Sequence, residues 1–414
     1  MVLFLLPIVV LSTILTVVAD DRKPPQQFEY VALARAYFDL QGKQVGQPVV
    51  IHEDPVDEDD EDETLNQRQP ETVGQTPEKM PSVRDLVNIG SNREYKIVSV
   101  LGRGTDSVVY RGVAHADGTT PVPVIGQSSN GVGLKFQMYD DAARQYSVET
   151  DYAVLSQAGS RFPELFPQVY YLSNLGSIII GIQRKNLRYL VMELLGGSIL
   201  SLSRYYHHKL PMETVASVGI QCVNILEALH SINLIHGDIH LENLMFRLEN
   251  GEDFVQLNGE IFSAHVLLGD YGKSIYYIDP STSRHVDEDR IEFSEERNML
   301  FLSPYELAFG SPSRREDIFR LMETLARMID HEAYARHFRQ FSSNRDAILN
   351  AKRTVALGDV LVGIHPIFAQ LYDYSRSLGF TDRPDYDRLR TGFTSLLQAQ
   401  GLAYSGKVIM PSTR

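Results

Sequence analysis

The spacing of apolar positions near residue 100 predicts a strand, a tight turn and a second strand. Two short apolar stretches occupy 97–100 and 108–109. Between them stand Gly102 and Gly104, where the missing side chains let a backbone approach a phosphate. No helical pattern follows Ser107, so the pattern favours a hairpin over the glycine turn that opens a helix in dinucleotide-binding folds.

A lysine stands in the apolar strand predicted at Gly133–Phe136, where an unpaired ammonium would be costly to bury. Lys135 therefore needs a carboxylate partner, unless it extends its ammonium to solvent. Apolar spacing predicts a helix at Ala142–Leu155, which offers Glu149 as the partner, although a solvated helix face is the alternative for that residue. Glu164 is a less favoured partner because prolines interrupt its segment.

Three polar residues further along form a set suited to phosphate chemistry. Asp238 and Asn243 stand five positions apart, and Asp270 precedes Tyr271-Gly272. Phosphoryl transfer from Mg-ATP uses one carboxylate to accept the proton of the attacking hydroxyl. It also uses an Asn and a second Asp to hold the metal ions. The set therefore predicts Asp238 as the base and Asn243 and Asp270 as ligands of Mg²⁺.

In this order the motifs resemble a eukaryotic protein kinase, and within that superfamily the casein kinase I group. The segments that carry the group-level resemblance are Val191–Ser198, Leu229–His236, Ser313–Asp317 and Arg383–Arg390. The resemblance covers about residues 94–405 and implies an α+β, two-lobed protein kinase fold. A small β-rich N-lobe is expected at about 94–195, and a larger, mainly helical C-lobe at about 196–405.

The resemblance also implies roles for single residues. The set expected to bind ATP is Gly102, Gly104, Ser107, Val109, Lys135, Glu149, Glu193 and Leu195. Within it the glycine turn covers the phosphates, Glu149 orients Lys135, and the stretch from Glu193 to Leu195 forms the hinge beside the adenine. The catalytic set is Asp238, Lys135 and His240, and the metal set is Asn243 and Asp270. Asp317 is expected to brace the catalytic loop, with a helix-capping acid as the alternative.

Three positions depart from the resembled pattern. Gly237 replaces the usual Arg before the catalytic Asp, His240 replaces the Lys that steadies the γ-phosphate, and Tyr271 replaces a Phe. If a cationic His240 holds the γ-phosphate, activity should rise as the pH falls from about 7.5 toward 6.5. The alternative is an uncharged packing or hydrogen-bonding role, which His240→Lys would reveal through an unchanged pH profile.

The function expected from the resemblance is transfer of the ATP γ-phosphate to Ser or Thr of proteins. Gly237 and His240 keep a pseudokinase scaffold or allosteric binding module open as the alternative. A kinase of small molecules uses a similar loop but leaves the other motifs unexplained. Arg314 and Arg315 fall where the resembled group gathers charge for acidic or pre-phosphorylated protein substrates, and ordinary ion pairing is equally expected for them.

Composition fits a globular enzyme and gives no sign of nucleic-acid binding. The chain has 414 residues, of which 43% are hydrophobic, so it can bury a large core. Its formal charge is −14, but nine of those charges lie in one acidic run, 53–63. The segment 20–93 that contains this run is expected to be acidic and mostly disordered, with a short amphipathic helix at Phe28–Leu40.

The first residues predict a secretory leader. Residues 2–18 are almost continuously apolar, and Val17-Val18-Ala19 suits signal peptidase, so 1–19 is expected to be a cleaved signal peptide. A secreted or luminal protein without stable membrane association follows from this reading, and a signal-anchored membrane protein is the alternative. Cys222 is the single cysteine and is expected to be a buried small hydrophobe in an apolar helix.

Overall fold

The computed structural model describes residues 86–88, 94–104, 107–114, 131–137, 147–180, 183–248, 255–257, 260–288, 299–300, 302–308 and 310–411. The predicted leader, the helix at Phe28–Leu40 and the acidic run lie outside these described residues. Among the described residues, no helix combines the length and the hydropathy needed to cross a bilayer.

The N-terminal part of the described structure is a six-stranded antiparallel barrel. Its strands are β1 (Leu86–Asn88), β2 (Glu94–Arg103), β3 (Ser107–Ala114), β4 (Gly131–Gln137), β5 (Val169–Ile180) and β6 (Gln183–Glu193), in the order β1-β2-β3-β4-β6-β5. β1 closes the barrel by pairing with β2 and β5, and it precedes the domain start predicted at residue 94. The hairpin predicted around the glycine turn is confirmed as β2 and β3.

Alternation of side chains along these strands fills the barrel. The buried residues that contact one another are Tyr95, Ile97, Val108, Tyr110, Val132, Leu134, Phe136, Tyr189 and Val191. Their neighbours in sequence point to the other face of each strand, because successive side chains alternate across a sheet. The outward positions Val98 and Val100 of β2 are accordingly exposed.

Among the described residues, one helix packs against the barrel and nine lie in the C-terminal part. The described helices are α1 (Ser147–Arg161), α2 (Ile199–Tyr205), α3 (Met212–Ser231), α4 (Pro304–Leu307), α5 (Arg314–Ile329), α6 (His331–Arg339), α7 (Arg345–Thr354), α8 (Leu357–Val360), α9 (Pro366–Ser377) and α10 (Tyr386–Ala399). The Asp385 side chain caps α10 by accepting from the Arg388 N–H. Cys222 is buried in α3, as predicted, and burial raises its pKa to about 12.

Short strand pairs connect the two parts and carry the loops of the candidate site. They are β7 (Leu195–Ser198), β8 (Leu234–Ile235), β9 (Leu244–Arg247), β10 (Val255–Leu257), β11 (Glu260–Phe262), β12 (Val266–Leu268), β13 (Ile275–Tyr276), β14 (Ile278–Asp279) and β15 (Arg284–His285). β9 pairs with β12 and β8 pairs with β13. These pairings bring the loop 236–243 against the loop 269–274, although the two are separate in sequence. A sheet-rich N-terminal region followed by a helical C-terminal region is consistent with the predicted α+β kinase fold.

Candidate active site

The buried ammonium of Lys135 lies at the centre of the candidate site. Its Nζ atom is 2.6 Å from a carboxylate oxygen of Asp151 on α1 and 2.9 Å from Oδ1 of Asp270. Burial alone would lower the pKa of Lys135, but the two carboxylates outweigh it and raise that pKa. The ammonium therefore joins the barrel, the helix α1 and the loop that follows β12.

The predicted pairing of Lys135 with Glu149 is wrong. Glu149 lies two residues before Asp151 on α1 and forms an ion pair with Arg188 of β6, at 2.5 Å. Two residues along a helix turn a side chain to a different face, so the two acids cannot serve one lysine. Asp151 takes the role that sequence reasoning gave to Glu149.

Periodicity could have identified Asp151. The apolar positions expected to face inward on this helix are Val148, Tyr152 and Leu155. Asp151 follows Val148 by three residues and precedes Leu155 by four, so it lies on that same face. The signal for Asp151 was therefore its position on the inward face of the helix. It was overlooked because the resembled family has a Glu, and not an Asp, as the partner of the lysine.

Asp151 also ties α1 to the loop after β12. Its Oδ1 accepts the main-chain N–H of Tyr271 at 2.5 Å, while Oδ2 accepts from Lys135. Burial raises the pKa of Asp151 to about 6, and the neighbouring Lys135 ammonium opposes that rise. The carboxylate is therefore ionised at neutral pH and loses its charge in weak acid.

The barrel strands place three of the predicted nucleotide residues on one face. Val109 is directly opposite Gly102 on β2 and opposite Lys135 on β4, and residues directly opposite in a ladder share a face. A Cβ atom added at Gly102 would meet no atom within 4 Å, so this face is open. Gly104 donates its N–H to the Ser107 carbonyl oxygen at 2.9 Å and so forms the turn.

The hinge residues connect the two regions of the molecule, as expected. Glu193 ends β6 and Leu195 begins β7. The buried Glu193 carboxylate binds Arg247 of β9 at 2.9 Å and accepts the Gln168 N–H at 3.0 Å. Its side chain is thus a structural anchor, and main-chain atoms are what this stretch can present to a nucleotide.

Asp238 and Asn243 lie in one loop, between β8 and β9. Asn243 Nδ2 donates to the Asp238 carbonyl oxygen at 2.9 Å, which leaves its amide oxygen to face a cation. The Asp238 carboxylate is partly buried. Burial tends to raise its pKa, but the Lys273 ammonium and the nearby His240 side chain outweigh burial and hold the pKa well below its usual range. Asp238 is therefore ionised throughout the neutral range.

Asp270 has the exposure and the free oxygen that a metal ligand needs. Its side chain is 44% exposed, and both of its described contacts, to Lys135 Nζ and to the Gly272 N–H, use Oδ1. Its Oδ2 can therefore face the open side. Among the described residues, no group of three or more His, Cys, Asp or Glu could hold a metal ion by itself. One carboxylate and one amide oxygen fit Mg²⁺, which usually completes its shell with water and substrate phosphates.

The predicted brace at Asp317 is confirmed. This buried residue near the start of α5 accepts the main-chain N–H groups of His236 and Gly237, at 2.7 and 2.9 Å. Its Oδ2 is also 3.0 Å from His230 Nε2, and His230 Nδ1 is 2.7 Å from the Tyr386 hydroxyl. Burial opposes ionisation, but these hydrogen bonds lower the pKa of Asp317. The start of the loop 236–243 is thus held in place by an anionic side chain.

His236 also holds this loop in place, through contacts of both ring nitrogens. Its Nε2 is 3.0 Å from the Gly269 carbonyl oxygen, and its Nδ1 accepts the Asp238 N–H at 3.2 Å. These two partners require the neutral ring with the proton on Nε2, and burial lowers the pKa of His236 in agreement. The ring also packs against Tyr271, with centroids 4.7 Å apart.

Backbone geometry explains why glycine occupies position 237. Its φ angle is +78°, and an added Cβ would lie 2.9 Å from the Lys273 carbonyl oxygen. An Arg at this place would combine a left-handed backbone with a collision against main-chain atoms. The absence of the usual Arg therefore follows from how closely the two loops approach.

Gly237→Ala should lower the free energy of unfolding by about 1–3 kcal/mol, because it adds left-handed strain and a main-chain collision. Gly363→Ala is the matched control, since Gly363 has a φ of +77° and no atom within 4 Å of an added Cβ. Urea unfolding of both variants measures the difference. Equal losses would show that Lys273 does not press against Gly237.

The arginines considered for substrate binding are engaged in structural contacts. Arg315 pairs with Glu288 and lies 4.2 Å from the Tyr305 ring centroid. Arg314 donates to the Thr381 carbonyl oxygen at 2.7 Å and lies over the Tyr277 ring. Ion pairing, the alternative kept open from the sequence, is what the structure shows for Arg315, together with stacking over the Tyr305 ring.

Comparison with known proteins finds casein kinase I homologues that match about three quarters of the chain. Casein kinase I homolog RAG8 of Kluyveromyces lactis is 27% identical over 316 residues, which are 76% of this chain and 52% of that protein. Casein kinase I homolog 1 of Saccharomyces cerevisiae is 25% identical, with the same coverage of both chains. Casein kinase 1-like protein HD16 of Oryza sativa subsp. japonica is 23% identical over 317 residues, 76% of this chain and 41% of that protein.

The chain spans about half the length of the curated relatives it matches. No protein-family model matches the chain. The similarities support a likeness to protein kinases of the casein kinase I group.

Proposed function

We propose that this chain transfers the γ-phosphate of Mg-ATP to Ser or Thr side chains of protein substrates. The observation that carries the proposal is the position of Lys135, which is 2.9 Å from Asp270 while Asp238 stays ionised nearby. The lysine comes from the barrel, and the two acids come from separate loops of the helical part. Their convergence is the arrangement that phosphoryl transfer requires.

Each residue of the site has a proposed step in the transfer. Lys135 binds the α- and β-phosphates, and Asp151 holds its ammonium in place. Asp270 and Asn243 hold the metal, which neutralises phosphate charge when it is bound with the nucleotide. Asp238 accepts the hydroxyl proton as the substrate oxygen bonds to the γ-phosphorus and the bond from that phosphorus to the bridging oxygen breaks. ADP leaves with the electron pair of that bond.

A binding scaffold without catalysis is the second candidate, and the substitutions at Gly237 and His240 motivate it. The contacts of Gly237 weaken this alternative, because glycine there is explained by packing against Lys273. His240 sits beside Asp238 with its Nε2 atom 3.8 Å from the carboxylate, so the loop retains a polar group at that position.

Transfer of label from γ-labelled ATP to dephosphorylated casein tests the proposal. The native chain should yield phosphoserine or phosphothreonine, and Asp238→Asn should yield almost none while it still binds ATP. Labelling of a small alcohol but not of protein would favour a small-molecule kinase. ATP binding without transfer by the native chain would favour the scaffold.

We also propose a secretory route for this protein, which rests on its first 19 residues. Their apolar run and the small residue Ala19 are the support. Expression of the full chain in a eukaryotic cell, followed by sequencing of the N-terminus of the product, tests this. A mature chain that begins at Asp20 is the expected product, and an intact Met1 would contradict cleavage.

The rate of transfer should fall as the pH drops through about 6 and stay level from about 6.5 to 8. Asp151 gains a proton near its pKa of about 6, and it then loses its hold on Lys135. The groups that face Asp151 are Lys135, the Asp270 carboxylate and the Tyr271 N–H. Asp238 does not contribute in this range, because its pKa is well below its usual value. A rate that rises from pH 7.5 to 6.5 would instead support a cationic His240.

A further inference from the structure

The carboxylate of Asp238 faces two nitrogen groups from different loops. Its Oδ2 atom is 3.3 Å from Lys273 Nζ and 3.8 Å from His240 Nε2. His240 occupies the position where the resembled family has a lysine. Lys273 directly follows the Asp270–Gly272 turn, so its ammonium reaches Asp238 from a different loop than His240 does.

The main chain fixes where the Lys273 side chain begins. The Lys273 carbonyl oxygen lies 2.9 Å from where a Cβ of Gly237 would be, so the backbones of the two loops are in close contact. β8 and β13 pair next to this contact, through Ile235 and Ile275. The side chain of Lys273 is 48% exposed and therefore borders the open side of the site, where phosphate and substrate would enter.

A contact within its own loop orients the His240 ring. Its Nδ1 accepts the Glu242 N–H at 3.3 Å, which places the proton of a neutral ring on Nε2. That proton then faces the Asp238 carboxylate. A neutral His240 can thus orient the base, but it brings no cation to a γ-phosphate.

We propose that Lys273 supplies the positive charge that phosphoryl transfer needs beside the catalytic base, in place of the lysine absent at position 240. This inference rests on the proposed kinase function. Lys273 forms no covalent bond in the step: it stabilises charge on the γ-phosphate oxygens while the hydroxyl proton passes to Asp238. An ammonium 3.3 Å from that carboxylate lies next to the phosphorus that the activated hydroxyl must attack.

Lys273→Met should lower kcat about 10²-fold, as removal of one preorganised charge does, and leave the Kd for Mg-ATP nearly unchanged. Lys273→Arg keeps the charge and should retain a larger share of the activity. Lys209→Met is the matched control, because Lys209 is an exposed lysine that pairs with Asp330 far from the site. Thermal unfolding of each variant shows whether it folds as the native chain does.

Relocation of the charge provides the sharpest test. Adding His240→Lys to Lys273→Met returns an ammonium to the same carboxylate from the other loop. The double variant should have a kcat at least about tenfold higher than that of Lys273→Met alone. A merely structural Lys273 would not respond to a change at position 240. An active native chain with an unimpaired Lys273→Met, or with no gain in the double variant, would overturn this inference alone. A native chain without transfer would overturn the proposed function and this inference with it.

Discussion

Asp270→Asn should reduce phosphate transfer by at least about 10²-fold, because it removes a charge from a site that must hold a metal and an ammonium together. Asp270 contacts Lys135 through Oδ1, and its other carboxylate oxygen can face the open side of the site. Asparagine keeps the shape of the side chain but removes the negative charge that the metal and the Lys135 ammonium share. Higher Mg²⁺ should therefore recover part of the lost activity.

The control for this prediction is Asp279→Asn. Asp279 stands further along the same segment and accepts hydrogen bonds from the Ser281 and Thr282 side chains. Its loss changes a local turn but no group that contacts Lys135. Initial rates measured across a magnesium titration compare the two variants. Equal rates for Asp270→Asn and the native chain at every magnesium concentration would show that Asp270 does not hold the metal.

Asp151→Asn should lower kcat/KM by about 10²-fold, the cost of misplacing a group that positions the substrate. The substitution replaces the acid that fixes Lys135 at 2.6 Å with a neutral amide. Breaking one partner of a buried ion pair costs about 3–5 kcal/mol, and the loss here should be smaller because Asp270 remains beside the ammonium. Both kcat/KM and the free energy of unfolding should therefore fall.

Glu149→Gln separates this role from a general effect on α1. Glu149 is buried on the same helix and pairs with Arg188, so its replacement should reduce stability. It should leave kcat/KM within a few-fold of the native value, because Glu149 does not contact Lys135. A larger kinetic loss for Glu149→Gln than for Asp151→Asn would show that the helix presents Glu149 to the lysine during catalysis.

Local patterns in the sequence were enough to predict the elements that carry the site. The glycine hairpin and the lysine in an apolar strand each depend on residues that are close together in sequence. The bracing contact of Asp317 was predicted through resemblance, and its two main-chain partners are confirmed. Features of this kind can be predicted from sequence, because they depend on neighbouring residues or on motifs that occur in a fixed order.

The contacts that sequence reasoning missed depend on the rotation of a helix or on the approach of two loops. The choice between Glu149 and Asp151 depends on which face of α1 meets the barrel. The contact of Lys273 with Asp238 joins residues that are distant in sequence, and no local pattern signals it. The reason for glycine at 237 likewise appears only when the Lys273 carbonyl oxygen is beside it.

We propose that Lys135 of β4 and three residues of two loops, Asp238, Asn243 and Asp270, surround one magnesium nucleotide and transfer its phosphate as a unit. Single-turnover transfer to casein by the native chain, by Asp238→Asn, by Asp270→Asn and by the double variant tests this directly. Residues that act as a unit give strongly non-additive losses, so the double variant should be about as slow as the slower single variant. Losses that multiply, or a native chain that transfers no phosphate, would contradict the account.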